Sequence, residues 1–388
     1  MSDDLTAQEI IDLVKRVFNP VEADERLAII VDMPDEIAPD TKEWAARRTM
    51  AARWASLLNA NPQDAGLKNI DLILYQNPHA NNADLPSVCY LHPLPVSENP
   101  LPISTAKLEG RRVPFVDIFE RTRIIIAPTQ FSATAPLKIA AKNFGFRAAT
   151  MPGFCTSMIP ALRLDYGVIG TRVDHFKEML DDANRCDIIF DADGNEHKLT
   201  LDLRHRLGHA SGGVFPTNGV AGNLPSGESY IVPYEGEING DPSDSAGELP
   251  VQLGTDIVVY KIKNNVATKV LSDNPISHDE AVKLKEEPAY GNMAELGLGV
   301  LGDFGLEPTG EILLDEKLGL HIAFGRSEHF GGQVSPDNFS SPDKVVHIDR
   351  VYIPQLQPNI KIVRATLTMS DGSTVPLMKN GVYVVDMD

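Results

Sequence analysis

The sequence predicts an α/β N-terminal domain with a mostly parallel sheet, followed by an α+β C-terminal domain rich in antiparallel hairpins. Strand and helix patterns alternate over the first 150 residues, an order typical of parallel sheets covered by helices. Later in the chain, paired strand patterns flank short turns that favour hairpins, which are Asp193-Gly194, Asn264-Asn265 and Asp371-Gly372. We therefore place the domain boundary near residue 180 and expect domains of residues 1–180 and 181–388.

The elements of the first half follow from local patterns. Thr6 and Glu9 have capping-box spacing ahead of an apolar stripe, which predicts a first helix that ends at Asn19-Pro20. Short apolar runs predict strands at Leu27–Val31, Ile70–Tyr75, Arg123–Ala127 and Arg147–Thr150. Longer patterns predict helices over Thr41–Ala60 and, with Thr134 as cap, to about Lys142. The Pro-, Asn- and His-rich segment Asn77–Leu108 predicts a loop.

The second half has a different pattern. A helix is expected over Val173–Cys186, and a second over about His278–Glu287 with Ser277 as its cap. The strands predicted around the three turns are Asp187–Phe190 with His197–Leu203, Ile257–Lys263 with Val266–Leu271, and Ile360–Met369 with Thr374–Met378. Asn380-Gly381 predicts a turn into a last strand.

Composition excludes several classes of partner. The chain has 35 Lys and Arg against 54 Asp and Glu among 388 residues, a net charge of −19. Such an acidic surface repels phosphate backbones and anionic lipid, so neither nucleic acid nor a membrane is expected as a partner. No apolar run approaches the ~20 residues of a membrane span. The three cysteines are widely spaced and form no CxxC pair, which suits a reducing cytoplasm.

The sharpest chemical signal is the HxD pair in the expected strand Val345–Val351. Side chains alternate along a strand, so His347 and Asp349 lie on one face, about 7 Å apart at a rise of ~3.3 Å per residue. That separation allows both to bind one cation or two adjacent ones. Alone, so short a motif is more typical of an ordinary polar strand face, with the histidine hydrogen-bonded to its neighbour. No GxGxxG, P-loop or GxSxG motif is present to indicate a nucleotide or triad site.

Three further segments bring carboxylates and imidazole next to glycines. They contain Glu316 with His321, Glu228, and Glu295, and each alone also fits an ordinary strand or turn. Together with the HxD pair they offer mixed nitrogen and oxygen donors, which suit zinc, manganese, cobalt or iron. A surplus of carboxylates allows bridging and therefore two divalent ions, an arrangement suited to amide hydrolysis.

The sequence blocks that carry these residues resemble signature blocks of the aminopeptidase T family of metallopeptidases. They are GNLPSGESYIVPYEG, NMAELGLG, DEKLGLHIAFGRSEHFGG and VHIDRV, and the segment RIIIAPTQFSATAPLKIAAKNFGFRAATMPG resembles the end of that family's N-terminal domain. The similarity covers residues 120–355, whereas the first 110 residues match only in general architecture. The order and spacing of the C-terminal blocks make the resemblance specific.

The resemblance implies a C-terminal domain that carries two divalent ions, a homodimer, and a small-molecule or short-peptide substrate. The residues that match the family's metal ligands are Glu228, Glu295, His321, His347 and Asp349. Glu316 matches a further acidic position near the metals. The expected activity is hydrolysis of an amide, peptide or related C–N bond by a metal-activated water, with Glu316 or Glu328 accepting a proton and His329 assisting at the oxyanion or the leaving group.

One position departs from the family. Aminopeptidases of the family carry a tyrosine seven residues after the position that corresponds to His321. This sequence has Glu328 there. Either Glu328 or His329 takes the role of that tyrosine, or the substrate is not a peptide. Two alternatives stay open: a mononuclear iron(II) dioxygenase of the 2,5-dihydroxypyridine type, which resembles this chain in its HxD pair but has His at the position of Glu295, and a metal-free binding protein.

Overall fold

A computed structural model of the chain describes residues 4–108 and 111–385. Contacts between Cα atoms divide it into two compact units. One, the parallel-sheet unit, extends to Gly170 and includes Ser211–Ser226. The other, the hairpin unit, comprises Thr171–Ala210 and the chain from Gly227 onward.

The described residues form helices and strands that we number in chain order. The helices are α1 (Ala7–Phe18), α2 (Lys42–Ala60), α3 (Phe115–Arg121), α4 (Thr134–Phe144), α5 (Ile159–Leu162), α6 (Tyr166–Asp182), α7 (Pro275–Glu286) and α8 (Ile312–Asp315). The first ten strands are β1 (Arg26–Met33), β2 (Asn69–Gln76), β3 (Val88–His92), β4 (Arg111–Pro114), β5 (Ile124–Ala127), β6 (Arg147–Thr150), β7 (Ala183–Ala192), β8 (Asn195–Asp202), β9 (His209–Ser211) and β10 (Ala221–Asn223). The remaining strands are β11 (Glu228–Ile231), β12 (Ala246–Leu253), β13 (Asp256–Lys263), β14 (Val266–Val270), β15 (Met293–Gly299), β16 (Leu320–Gly325), β17 (His347–Val351), β18 (Ile360–Met369), β19 (Thr374–Lys379) and β20 (Val382–Tyr383).

The parallel-sheet unit contains a seven-stranded sheet in the order β10-β6-β5-β1-β2-β3-β4. Its five strands from β10 to β2 run parallel, and β3 and β4 add an antiparallel edge. The central strands are continuous apolar runs because helices cover the sheet, and β5 is buried along its whole length. Aromatic rings pack the core beside it, with the ring centroids of Phe115 and Phe119 5.2 Å apart.

In this unit the structure confirms one local prediction and corrects two others. The capping box of Thr6 and Glu9 at the start of α1 is confirmed. The segment Asn77–Leu108 is not all loop, because it contains β3, an outer strand whose burial is only partial. Thr134 is the first residue of α4 rather than its cap, and it donates a hydrogen bond to Asn223 instead.

The hairpin unit contains an eight-stranded antiparallel sheet in the order β14-β13-β12-β8-β7-β18-β19-β20. The predicted hairpins at Asp193-Gly194, Asn264-Asn265 and Asp371-Gly372 are confirmed. Asp193 and Gly194 have φ of 49° and 80°, the left-handed region that a tight two-residue turn requires. Together with the mostly parallel sheet of the other unit, this confirms the predicted fold class.

Both predicted helices of the second half need correction at their ends. The helix expected over Val173–Cys186 is α6 and ends at Asp182, because Cys186 pairs with Leu201 and Leu367 inside β7. In α7 the cap is Asn274, whose side chain accepts a hydrogen bond from the Ser277 backbone N–H, rather than Ser277 itself.

A second sheet of five strands lies in the order β17-β16-β15-β11-β9. Its β11–β15, β15–β16 and β16–β17 pairs are antiparallel. Strands β11, β15 and β16 are almost wholly buried, although they carry charged residues. Within residues 4–108 and 111–385, none of the helices has both the length and the apolar content to cross a membrane.

Candidate metal centre

The predicted ligands lie on four adjacent strands of the five-stranded sheet. Residues that pair across antiparallel strands point to the same face, and so do residues two apart along a strand. Glu228 pairs with Gly299, and Gly297 pairs with His321. Ala323 pairs with both Glu295 and Asp349, and Gly325 with His347. One face, which we call the site face, therefore carries Glu228, Glu295, His321, His347 and Asp349.

Small residues occupy the positions between these ligands on the site face. A Cβ atom on Gly297 would lie 1.9 Å from the His321 Nε2 atom, so the imidazole lies directly over that glycine. A Cβ atom on Gly299 would lie 2.4 Å from the Lys317 carbonyl carbon, so the segment around Lys317 also needs a glycine beneath it. The glycine-rich block around Glu295 thus makes room for the side chains and backbone of its neighbours.

The first group of donor atoms comes from Glu228, Glu295 and His321. Their potential ligand atoms lie within 4.8 Å of one another, and all three residues are buried. His321 Nε2 is 3.3 Å from Glu295 Oε1 and 3.6 Å from Glu228 Oε2. Three donors from three strands therefore converge at one point.

The second group comes from Glu295, His347 and Asp349, again within 4.8 Å. His347 Nε2 is 3.2 Å from Glu295 Oε2 and 3.6 Å from Asp349 Oδ1. The other ring nitrogen, Nδ1, donates to the Arg326 carbonyl at 2.8 Å, which orients the imidazole. Glu295 belongs to both groups, since each of its two carboxylate oxygens faces a different histidine.

A buried lysine adjoins the first group, and the sequence interpretation missed it. Lys317 is 1% exposed, and its Nζ atom lies 2.5 Å from Glu228 Oε1 and also contacts Glu316. Burial raises the pKa of Glu316 to about 8, helped by the charges of Glu228 and Asp349 and opposed by Lys317. In the sequence, Lys317 is only a charged residue between Glu316 and an apolar run. That pattern is common at helix ends and does not indicate a buried lysine.

The four carboxylates of the site are balanced only with the help of bound protons. Glu228, Glu295, Glu316 and Asp349 are four carboxylates, and Lys317 is the one ammonium that pairs within the cluster among the described residues. Burial opposes charge on His321, but the hydrogen bond and charge of Glu295 outweigh it and raise the pKa of His321 to about 9. Burial likewise opposes charge on His347, but Asp349 and Glu295 outweigh it and raise its pKa. The contacts with both histidines lower the pKa of Glu295 to about 2 against the effect of burial. Protons on the two imidazoles therefore complete the charge balance of the metal-free site.

One atom of the cluster is left without a hydrogen bond. Glu228 Oε2 is buried and has no hydrogen-bond partner in the described part of the chain. A buried carboxylate oxygen without a partner is costly unless a cation binds it. The mixed imidazole and carboxylate donors, the carboxylates that bound protons must help to compensate, and this oxygen all fit divalent metal ions.

Glu328 and His329 have different surroundings in the structure. Both lie in a short 3₁₀ helix, Glu328–Phe330. Glu328 accepts hydrogen bonds from Arg326 at 2.6 and 2.8 Å and is therefore held by that guanidinium. The His329 ring lies 5.3 Å from the His347 ring, next to the second group. Burial and the charge of His347 lower the pKa of His329 to about 4, so this imidazole is neutral at pH 7.

A buried carboxylate anchors the loop that carries these two residues. Glu235 accepts hydrogen bonds from the Asn292 side chain at 2.7 Å and the Ser327 hydroxyl at 2.6 Å. It also accepts one from the Gln333 backbone N–H. These bonds join both ends of the loop, Ser327 and Gln333, through Glu235 to Asn292, the residue just before β15.

Comparison with known proteins shows the fold. The chain matches no family model and no curated protein sequence. Among solved structures, a 2,5-dihydroxypyridine dioxygenase from Pseudomonas putida KT2440 is 12% identical, with a TM-score of 0.59 over 98% of this chain and 99% of that one. Wild-type AmpT from Thermus thermophilus is 15% identical, with a TM-score of 0.52 over 97% of this chain and 99% of that one. The protein therefore has the fold that these two proteins share.

Proposed function

We propose that this protein is a metal-dependent hydrolase that cleaves an amide or related C–N bond. The observation that carries the proposal is the position of Glu295, whose two oxygens face two separate histidines. A carboxylate in that position is suited to bridge two cations, because each oxygen has its own set of neighbouring donors. The likeness to AmpT supports the proposal at the level of the fold.

The residues divide between two ion positions. Glu228, Glu295 and His321 would hold one ion, and Glu295, His347 and Asp349 the other. Two bound divalent ions would polarise a carbonyl group and lower the pKa of water. Because Glu295 serves both positions, its removal affects both ions at once.

Glu316 is the proton acceptor in this proposal. Its pKa is raised toward neutrality, the range in which a carboxyl group both accepts and returns a proton near pH 7. Lys317 fixes its orientation by an ion pair. Glu328 is less suited to this role because Arg326 occupies both of its oxygens. His329 is neutral, and its ring N–H is available to donate to the leaving group or the developing oxyanion.

The substrate is proposed to be a small molecule or a short peptide. Homodimer formation and a cytoplasmic location stay predictions of the sequence. Elemental analysis of protein purified without chelator, followed by assays with aminoacyl anilides and small aromatic amides, tests the function. Two zinc, manganese or cobalt ions per chain with release of the amine support it. A metal content near zero supports instead a metal-free binding protein.

Substitution of Glu295, which serves both ion positions, or of His347, which serves one, gives a direct test of the proposed site. Glu295→Ala and His347→Ala are each expected to abolish turnover and to lower metal occupancy. Loss of a residue that only hydrogen-bonds to a metal ligand already weakens metal affinity by about 10–100-fold, and loss of a ligand itself should weaken it at least as much. Occupancy is measured by elemental analysis and folding by thermal unfolding of the metal-free proteins. Full activity with normal metal content in either variant would remove that residue from the site.

A ring-cleaving iron(II) dioxygenase is the second candidate. The group of Glu295, His347 and Asp349 favours it, since three donors on one side of an ion leave positions open for other molecules, as in mononuclear non-haem iron sites. It departs from the usual composition of such sites by having one histidine rather than two. One iron per chain and oxygen consumption with a dihydroxypyridine would favour this reaction over hydrolysis.

A further inference from the structure

Tyr230 lies on the site face beside the predicted ligands. It is two residues after Glu228 on β11, so the two side chains point to the same side. Tyr230 pairs with Gly297, and Gly297 pairs with His321 on the next strand. Gly297 has no side chain, so nothing on β15 separates the phenol ring from the imidazole in this row. The register therefore places Tyr230 in the same row of the site face as His321, with a glycine between them.

Two aromatic rings hold the phenol in place. The His209 ring stacks on Tyr230 with a centroid distance of 5.0 Å and an interplanar angle of 20°. The Phe330 ring contacts Tyr230 at 4.7 Å and lies 5.5 Å from the ring of His347. His209 is fixed in turn by a 3.0 Å hydrogen bond to the Phe330 carbonyl. The ring of Tyr230 is thus packed between neighbours, and its position needs no hydrogen bond from the hydroxyl.

The hydroxyl group of Tyr230 has no assigned use within the protein. Across residues 4–108 and 111–385, no hydrogen bond to it is formed, whereas the hydroxyl of the buried Tyr234 donates to the Asp241 carbonyl at 2.7 Å. A phenol has an ordinary pKa of about 10 and keeps its proton at neutral pH, so this unused hydroxyl is a hydrogen-bond donor on the site face.

We propose that Tyr230 is a catalytic residue that donates a hydrogen bond from its phenol to the substrate oxygen at which negative charge develops. This inference rests on the proposed function and identifies the substrate group as a carbonyl oxygen. Tyr230 makes and breaks no covalent bond and keeps its proton throughout, so its contribution is stabilisation of charge. The donor is preorganised, because its ring is packed before the substrate arrives.

The first test compares Tyr230→Phe with Tyr234→Phe under the amide assay. Tyr230→Phe keeps the ring contacts with His209 and Phe330 and removes only the hydroxyl. We expect kcat to fall by about 100-fold, the size found for loss of one oxyanion donor, with KM changed by less than about threefold. Metal content and unfolding temperature should stay as in the parent protein. Tyr234→Phe, which removes a hydroxyl used inside the fold, should leave kcat unchanged.

A second test does not depend on turnover. Acetohydroxamate binds divalent metals through two oxygens and presents them to neighbouring donors. Calorimetric titration of the metal-loaded protein should give a dissociation constant about 10-fold higher for Tyr230→Phe than for the parent. Equal constants, or no binding of hydroxamate by the metal-loaded parent, would overturn the proposal. If the hydroxamate result holds while no amide is cleaved, the hydrolase proposal fails and Tyr230 is shown to be a hydrogen-bond donor to ligands of the site, but not a catalytic residue of amide hydrolysis.

Discussion

Each of the two units contains a buried cluster of charged side chains, and the two clusters are built differently. In the parallel-sheet unit, Arg147 and Asp24 form two hydrogen bonds of 3.0 and 2.6 Å. Arg147 also donates to the Phe18 carbonyl and to Asn218, so all five of its N–H groups are used. Charge is balanced one to one, and the pair is 2% exposed on both sides.

The cluster of the hairpin unit has no such fixed balance. Lys317 pairs with two of the four carboxylates, and protons on His321 and His347 supply the rest of the positive charge. Those protons can leave when a metal ion takes their place, whereas Arg147 keeps its charge. The comparison teaches that burial of charge alone does not identify a functional site. Convergent imidazole and carboxylate donors whose charge depends on exchangeable protons do.

The comparison predicts that removal of one carboxylate lowers the free energy of unfolding by different amounts in the two clusters. Asp24→Asn leaves the Arg147 guanidinium buried without its counter-charge and should lower the free energy of unfolding by about 3–5 kcal/mol. Glu295→Gln in metal-free protein also removes a counter-charge, but His321 and His347 can then release their protons, which Arg147 cannot do, so this variant should cost less than Asp24→Asn. Denaturant unfolding in the presence of chelator measures both.

The loss of bound metal should follow the opposite order to the loss of stability in these two variants. Asp24→Asn is expected to keep the metal content of the parent, while Glu295→Gln loses it. A metal-free Glu295→Gln protein as unstable as Asp24→Asn would contradict the distinction, because it would make Glu295 a structural counter-charge.

Sequence patterns predicted the parts of this structure that depend on local chemistry. The Asp-Gly and Asn-Asn turns were found because few residues adopt positive φ in tight hairpins. His347 and Asp349 were placed on one face because strand alternation is a local rule. The end of α6 was missed because β7 begins at Ala183, directly after Asp182, with no glycine or proline to mark the change.

The convergence of the site depends on strand order, which the sequence does not encode locally. Glu228 and His321 are brought together only because β15 lies between their strands and carries glycine at position 297. Tyr230 and Lys317 were not identified, although the spacing of Tyr230 from Glu228 was a usable signal. Strand β3 was overlooked because its surroundings are rich in residues that interrupt regular structure.

Substitution of Gly297 tests the comparison further, because its effect should be confined to the cluster of the hairpin unit. Gly297→Ala introduces a methyl group 1.9 Å from the His321 ring, so the imidazole must move. We expect a loss of about 1–3 kcal/mol in unfolding free energy from overpacking, and metal affinity at least about 10-fold weaker.

The matched control for this variant is Gly170→Ala. A Cβ atom at Gly170 meets no neighbour within 4 Å, so alanine should be tolerated there and should leave metal affinity unchanged. Unfolding in chelator and a competitive metal titration measure the two effects. Normal metal affinity in Gly297→Ala would show that His321 does not need its position over the glycine.

The dependence of stability on pH should also separate the two clusters. In the metal-free protein the pKa of His321 is about 9, above its ordinary 6.5, so its stabilising effect is complete below pH 6.5 and disappears as pH rises through 9. Glu316, with a pKa of about 8, acts in the same direction up to that pH. Metal-free protein should therefore lose at least about 1 kcal/mol of unfolding free energy between pH 7 and 8.

Bound metal should reverse this trend, because the ion replaces the proton on His321 and binds more tightly as pH rises. The Asp24–Arg147 pair supplies the internal control. The pKa of Asp24 is lowered, because its bonds to Arg147 outweigh burial, so the stability it contributes is lost only in acid. The cost of Asp24→Asn should then be equal at pH 7 and pH 8. If metal-free protein is equally stable at both pH values, the carboxylates of the site do not hold a proton on His321, and the contrast between the clusters fails.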